Sequence, residues 1–164
     1  MQKVLLGIAI VAFTTFCGYL LGKKYRRRKD FFSQLYDFNE RFLNEIAYYR
    51  RPLKEFFSKF SYKGDFEKLL YIYAENIDKQ TLTADNLLEL TDFDFLRKEE
   101  KSVVGDYFYM LGKGDSSSQK NFFSSLKTNV VTLRDRASAD SKKYGDLFVK
   151  LGFLCGLLIV ILLI

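Results

Sequence analysis

Residues 147–164, LFVKLGFLCGLLIVILLI, decide how the rest of the chain is read. The fourteen residues after Lys150 carry no charge. As a helix, eighteen residues rise about 27 Å, close to the roughly 30 Å hydrocarbon core of a bilayer. Lys150 lies one turn inside the near end, where its stem reaches back to the headgroups. A buried core helix is the competing reading. It needs apolar partners on every face, which a polar domain of this size hardly supplies. The stretch reads as a membrane anchor ending at the far interface.

The other end mirrors it. Residues 4–22, VLLGIAIVAFTTFCGYLLG, are nineteen in a row without a charge, long enough to span. A secretory signal peptide carries its positive charge before the apolar run and a small-residue cleavage site after it. Here the basic cluster follows the run, and Phe16 precedes Cys17, unlike a lipoprotein signal. The segment therefore reads as an uncleaved helix. Behind it come Lys23, Lys24, Arg26, Arg27, Arg28 and Lys29, against Lys3 and the amino terminus ahead. Lys142, Lys143 and Lys150 stand on the same central side of the second span. The positive-inside rule then places residues 23–146 in the cytoplasm and both termini across the membrane.

The middle is one domain's worth of chain. Net charge is +6, but seven of the 26 Lys and Arg are Lys3 and the six at 23–29, leaving 19 against 20 Asp and Glu. The basicity is thus a juxtamembrane collar, whereas nucleic-acid binding wants a basic face spread across the fold. No nucleic-acid partner is expected. Cys17 and Cys155 sit one in each span and make no metal or redox motif. The chain has no histidine, so the commonest general base and metal ligand is missing. It also lacks a phosphate-binding glycine loop and the H-E-x-x-H and G-x-S-x-G motifs. An enzyme and a cofactor are not expected.

Periodicity in the middle is helical. Phe32, Leu35, Phe38, Phe42, Ile46 and Tyr49 form one stripe, and no proline separates it from the first span, so a single helix can reach Tyr49. Gly18 and Gly22 are the positions that would loosen the junction. Arg51-Pro52 ends this helix and Pro52 suits the first turn of the next, residues 53–60. Gly64 breaks again, and Asp65 is expected to cap a third helix over 66–77. Residues 78–95 are less regular: Thr81 or Thr83 can cap a short helix, and Phe93 and Phe95 read as a connector laying two aromatics on the bundle. A further helix is expected over 97–111, with Val103, Val104, Tyr107, Phe108 and Leu111 inside and a glycine cap at Gly112 or Gly114. The last begins near Ser116–Ser118, carries Phe122, Phe123, Leu126, Val130 and Leu133 inward, and meets no breaker before Gly145. With seventeen Phe and eleven Tyr the core is aromatic, and these rings lie on inward stripes rather than on a base-stacking surface. The expected fold is all-α. A cytoplasmic bundle of about five to six helices, residues 23–146, lies between an N-terminal transmembrane helix, 1–22, and a C-terminal anchor, 147–164.

Three local patterns resemble the stage III sporulation protein AB family. Glu45-Ile46, Tyr48 and Pro52-Leu53 match its E-I-x-Y-x-x-x-P-L stretch, and Leu111-Gly112, Asp115 and Gln119 match its L-G-x-x-D-x-x-x-Q stretch. The ending from Leu151 is similar to its terminal anchor. The resemblance implies a role rather than a reaction. Such a protein would be a scaffold subunit of a secretion-like channel between mother cell and forespore, with a fold similar to the inner-membrane platform proteins of type II secretion. It would sit in the mother-cell membrane around the forespore. Its expected partners are the membrane, a cytoplasmic ATPase, other membrane proteins of the same operon and possible further copies of itself. The alternatives are a membrane-bound helical adaptor unrelated to sporulation, a membrane-bound hydrolase with an unrecognised carboxylate pair, and a pore acting alone.

The motif positions also have plain structural readings. Glu45 can pair with Arg41, Arg50 or Arg51, and Asp115 with Gln119 can cap a helix N-terminus. The collar Lys23–Lys29 is open to three readings: a topology determinant, a lipid contact, or a docking surface for the ATPase.

Overall fold

The computed structural model describes residues 2–48, 53–76, 93–113 and 115–163. Every regular element among them is helical: α1 (Gln2–Tyr48), α2 (Leu53–Lys59), α3 (Gly64–Asn76), α4 (Lys98–Met110), α5 (Ser116–Asp140), a π-helical turn (Ser141–Gly145) and α6 (Asp146–Leu163). The chain is all-α, as its periodicity implied. It divides into two compact units, one made of Met1–Lys29 with Asp135–Ile164 and the other of Asp30–Arg134.

The unit Asp30–Arg134 is built on aromatic rings. Phe32, Leu35, Phe38 and Phe42 of α1, from the stripe that the sequence pattern marked, are all buried, and so is Phe31, which it did not mark. Phe38 is fully buried, with ring centroids of Phe56 at 5.3 Å, Phe66 at 5.8 Å and Phe108 at 6.0 Å, so α1, α2, α3 and α4 meet around it. Phe123 brings in α5, its ring 5.0 Å from Phe42 and 4.8 Å from Tyr107. Many of these pairs are edge-to-face, the geometry that the ring quadrupole favours beyond simple area burial. Phe93 and Phe95 are buried against Phe31, at 5.3 and 5.8 Å, so the connector does lay two aromatics on the bundle. The rest of that connector, with Thr81 and Thr83, lies outside the described residues, as do Ile77, Tyr49 and Gly114.

The helix ends depart from expectation by small, explicable steps. Gly64 opens α3 at φ 63°, a left-handed conformation that glycine alone adopts without Cβ strain, so Asp65 falls in the first turn and is not the cap. Arg97 precedes α4 as its cap residue, and its backbone N–H donates to the Glu100 carboxylate at 3.0 Å. Asp115 caps α5: its Oδ1 accepts from the Ser118 N–H at 3.3 Å. Val103, Phe122, Leu126 and Leu133 are only half-buried, because they sit at the edges of their stripes.

Truncating Phe38 to Ala should remove about 3–5 kcal/mol of stability, read by chemical denaturation of the purified chain in detergent. Tyr71, which is 65% exposed, is the control, and Tyr71→Ala should stay within about 0.5 kcal/mol. A pH dependence follows from Tyr73. Burial pushes its phenol up to about 12 from 10.0, while its hydroxyl donates to the Leu111 carbonyl at 2.8 Å. A folded-state value above the unfolded one gives stability that is complete below about pH 10 and lost as pH rises toward 12. Tyr73→Phe should therefore flatten the alkaline fall in stability, measured as denaturation midpoints across that range.

Candidate functional site

The unit Met1–Lys29 with Asp135–Ile164 holds the two helices long and apolar enough to cross a membrane. In each, only 6% of the most apolar window is buried within the chain, which separates them from core helices of a soluble fold. They run antiparallel and touch through glycine. A Cβ on Gly18 would collide with the Phe148 carbonyl oxygen, and one on Gly152 with that of Thr14. A Cβ on Gly156 would lie 2.8 Å from the Val11 Cα, and one on Gly22 2.8 Å from the Gly145 carbonyl oxygen. Both spans thus carry a G-x-x-x-G pair, Gly18/Gly22 and Gly152/Gly156, that lets the backbones close up. Lipid tails offer no hydrophobic drive for helix association, so such contact is what holds the pair. The expectation that Gly18 and Gly22 loosen the junction is overturned: α1 runs unbroken for 47 residues, and the glycines are its packing face.

The two threonine hydroxyls of the first span bond within their own helix. The Thr14 hydroxyl donates to the Ile10 and Val11 carbonyls, both at 3.1 Å, and the Thr15 hydroxyl to Val11 at 2.7 Å. An apolar groove of about 630 Å³ runs between Val4, Ile8 and Ala12 on one side and Phe153 and Leu157 on the other. Nothing there suits an aqueous path.

Below the glycines lies the basic collar, which splits in two. Arg28 is buried, and Arg26 is half-buried between the two helices. Arg26 stacks on Tyr19, 4.5 Å from the ring centre, and donates to the carbonyls of Tyr19 at 3.1 Å and Gly145 at 3.5 Å. Arg28 is 3% exposed and donates to the Asp140 carboxylate at 2.6 Å. Lys23 and Lys24 are exposed, while Arg27 and Lys29 are half-buried. The π turn Ser141–Gly145 makes this register possible. An extra residue in a helix rotates all that follows by about 100°. The turn seats Gly145 against Gly22 while the Tyr144 ring meets that of Tyr25 at 5.2 Å. Its exposed lysines, Lys142 and Lys143, join the collar from the second helix.

The second group of sequence-marked residues lies in the other unit. Glu45 is buried and pairs with Lys59 of α2, 3.1 Å away, a partner that local spacing did not suggest. Leu111 is buried at the end of α4, and Gly112 follows at φ 80°, the left-handed turn that closes the helix. Asp115 and Gln119 both serve the start of α5: Asp115 caps it, and the Gln119 side chain donates to the Lys113 carbonyl at 3.0 Å. The hydroxyl and N–H of Ser118 hold the Asp115 carboxyl below its ordinary range. Ile46 and Tyr48 lie on the last turn of α1 and Leu53 opens α2, with side chains outside the described set. Pro52 lies outside the described residues. Among the described residues no group of His, Cys, Asp and Glu is arranged to hold a metal.

The family described as stage III sporulation protein AB matches residues 3–164. This chain belongs to that family. A relative from Bacillus subtilis (strain 168), stage III sporulation protein AB, is 26% identical over 170 residues, covering 99% of each chain. No solved structure matches significantly. Membership gives this chain a role in sporulation, and its two apolar helices fit a membrane protein of that family.

For this member of the stage III sporulation AB family, glycine packing is testable. In a Cys17→Ser/Cys155→Ser background, Gly7→Cys with Val160→Cys should cross-link on mild oxidation, because a Cβ at Gly7 stands 3.3 Å from Val160. Adding Gly152→Leu should sharply lower the yield. An unchanged yield would mean that the backbones do not need that approach. Arg28→Ala leaves a partly buried Asp140 without its guanidinium and should cost about 2–3 kcal/mol, whereas Lys23→Ala should stay within about 0.5 kcal/mol.

Proposed function

We propose that the chain is a scaffold subunit of the mother cell–forespore channel, without catalysis of its own, that presents its central helical domain to a cytoplasmic ATPase. The observation that carries this reading is family membership along nearly the whole chain, joined to a helical domain set between two helices able to span a bilayer. The uneven flanking charge supports a cytoplasmic centre, with both termini across the mother-cell membrane. The lack of histidine and of a nucleotide loop weighs against the hydrolase alternative. The self-bonded threonines of the first span weigh against a pore formed by this chain alone.

Two measurements test this. Single cysteines at Gln2 and at the exposed Ser117, in a background without Cys17 and Cys155, should label from opposite sides of the membrane. Outer-side labelling of Ser117→Cys in intact cells would overturn the topology. The purified chain in detergent should bind the operon's ATPase and show no hydrolase turnover by itself. An absence of binding would remove the platform role and leave the sporulation role standing.

A further inference from the structure

The collar brings two tyrosines, each with a lysine beside it, together where the two helices meet. The rings of Tyr25 of α1 and Tyr144 of the π turn lie 5.2 Å apart, tilted by 31°, and Phe148 stacks on Tyr25 at 6.0 Å. A lysine stands over each tyrosine, Lys24 at 5.7 Å from the Tyr25 ring centre and Lys143 at 5.2 Å from that of Tyr144. Both lysines are exposed, and the rings are half-buried. The neighbouring Asp140 is held by Arg28, and lysines 23, 24, 142 and 143 are exposed, as is Asp146.

Depth identifies the partner. Tyr25 lies three residues past residue 22, and Tyr144 three before residue 147. On both helices that is about 4.5 Å of rise beyond the apolar run. The polar zone of a bilayer extends about 5–7 Å outside its hydrocarbon on each side. Tyrosine prefers this level, with its ring toward the tails and its hydroxyl toward water. We propose that Lys24, Tyr25, Lys143 and Tyr144 form a seat for one anionic phospholipid headgroup, in the leaflet on the Lys23 side. The two ammonium groups take the phosphate and the ring pair packs against the glycerol. Because one lysine and one ring come from each helix, the seat exists only while the hairpin is closed and the π turn is in register. The inference rests on the membrane reading above.

The test uses the full chain in phosphatidylcholine vesicles with spin-labelled phosphatidylglycerol, comparing its association with that of spin-labelled phosphatidylcholine. The wild type should prefer phosphatidylglycerol. Lys24→Gln/Lys143→Gln should lower the preference about fivefold or more, since it removes the two ammonium groups that hold the phosphate itself by charge-assisted hydrogen bonds. Lys24→Arg/Lys143→Arg should keep it. Lys23→Gln/Lys142→Gln, which removes equal charge one residue away, should keep most of it, and Tyr25→Leu/Tyr144→Leu should lower it with every charge in place. The Gly7→Cys/Val160→Cys cross-link reports that each variant retains its hairpin. Equal losses in the two glutamine pairs would reduce the seat to general collar charge and overturn the proposal. An inserted wild type without the preference would overturn it as well. A chain that alkaline carbonate washes off the vesicles would instead overturn the membrane reading itself.

Discussion

The approach of Gly18 to the Phe148 carbonyl, and of Gly152 to the Thr14 carbonyl, sets everything else in the hairpin. In hydrocarbon, two apolar helices gain nothing from leaving lipid for each other unless they pack more closely than tails can. Backbone contact achieves that, and it also fixes register, because a glycine cannot slide past a neighbouring side chain without losing the approach. With the register set, Gly22 falls against Gly145, and Arg26 reaches a carbonyl on each helix. Tyr25 meets Tyr144 in the same register. The π turn absorbs the one residue that a regular helix would have put out of step.

The collar shows why counting positive charges says little about their use. Its arginines at 26 and 28 are tied to the helix pair, Arg26 stacking its planar guanidinium on a ring and the buried Arg28 holding a carboxylate. Its lysines at 23 and 24 face outward, where a flexible, strongly hydrated ammonium remains in water or among headgroups. A single basic run therefore contains both a structural clasp and an exposed charge.

In the unit Asp30–Arg134, two polar side chains within the aromatic core are tied to specific partners. The Tyr107 hydroxyl donates to Asn39 at 3.0 Å, and Glu45 of α1 holds Lys59 of α2. A buried polar atom is costly unless bonded, so these links fix which helix lies against which face. The family-motif positions described here belong to this scheme. Leu111 offers its carbonyl to Tyr73, Gly112 turns the chain, and Asp115 starts α5.

The sequence by itself determined what depends on local order. Runs of uncharged residues marked both spans, and apolar stripes at helical spacing marked the helices with most of their core positions, Phe38 and Tyr107 among them. Gly64 and Gly112 marked breaks because a positive φ is a property of the residue. The collar was legible as charge, and Gly18/Gly22 with Gly152/Gly156 were legible as motifs, though their packing role was not read from them. Tertiary structure decided every pairing between residues distant in the chain: Arg28 with Asp140, Glu45 with Lys59, Tyr25 with Tyr144. It also decided the π turn, which no residue type between 141 and 145 announces. Periodicity states which face of a helix is buried. Which partner covers that face depends on the register between helices, and that is fixed only where their backbones meet.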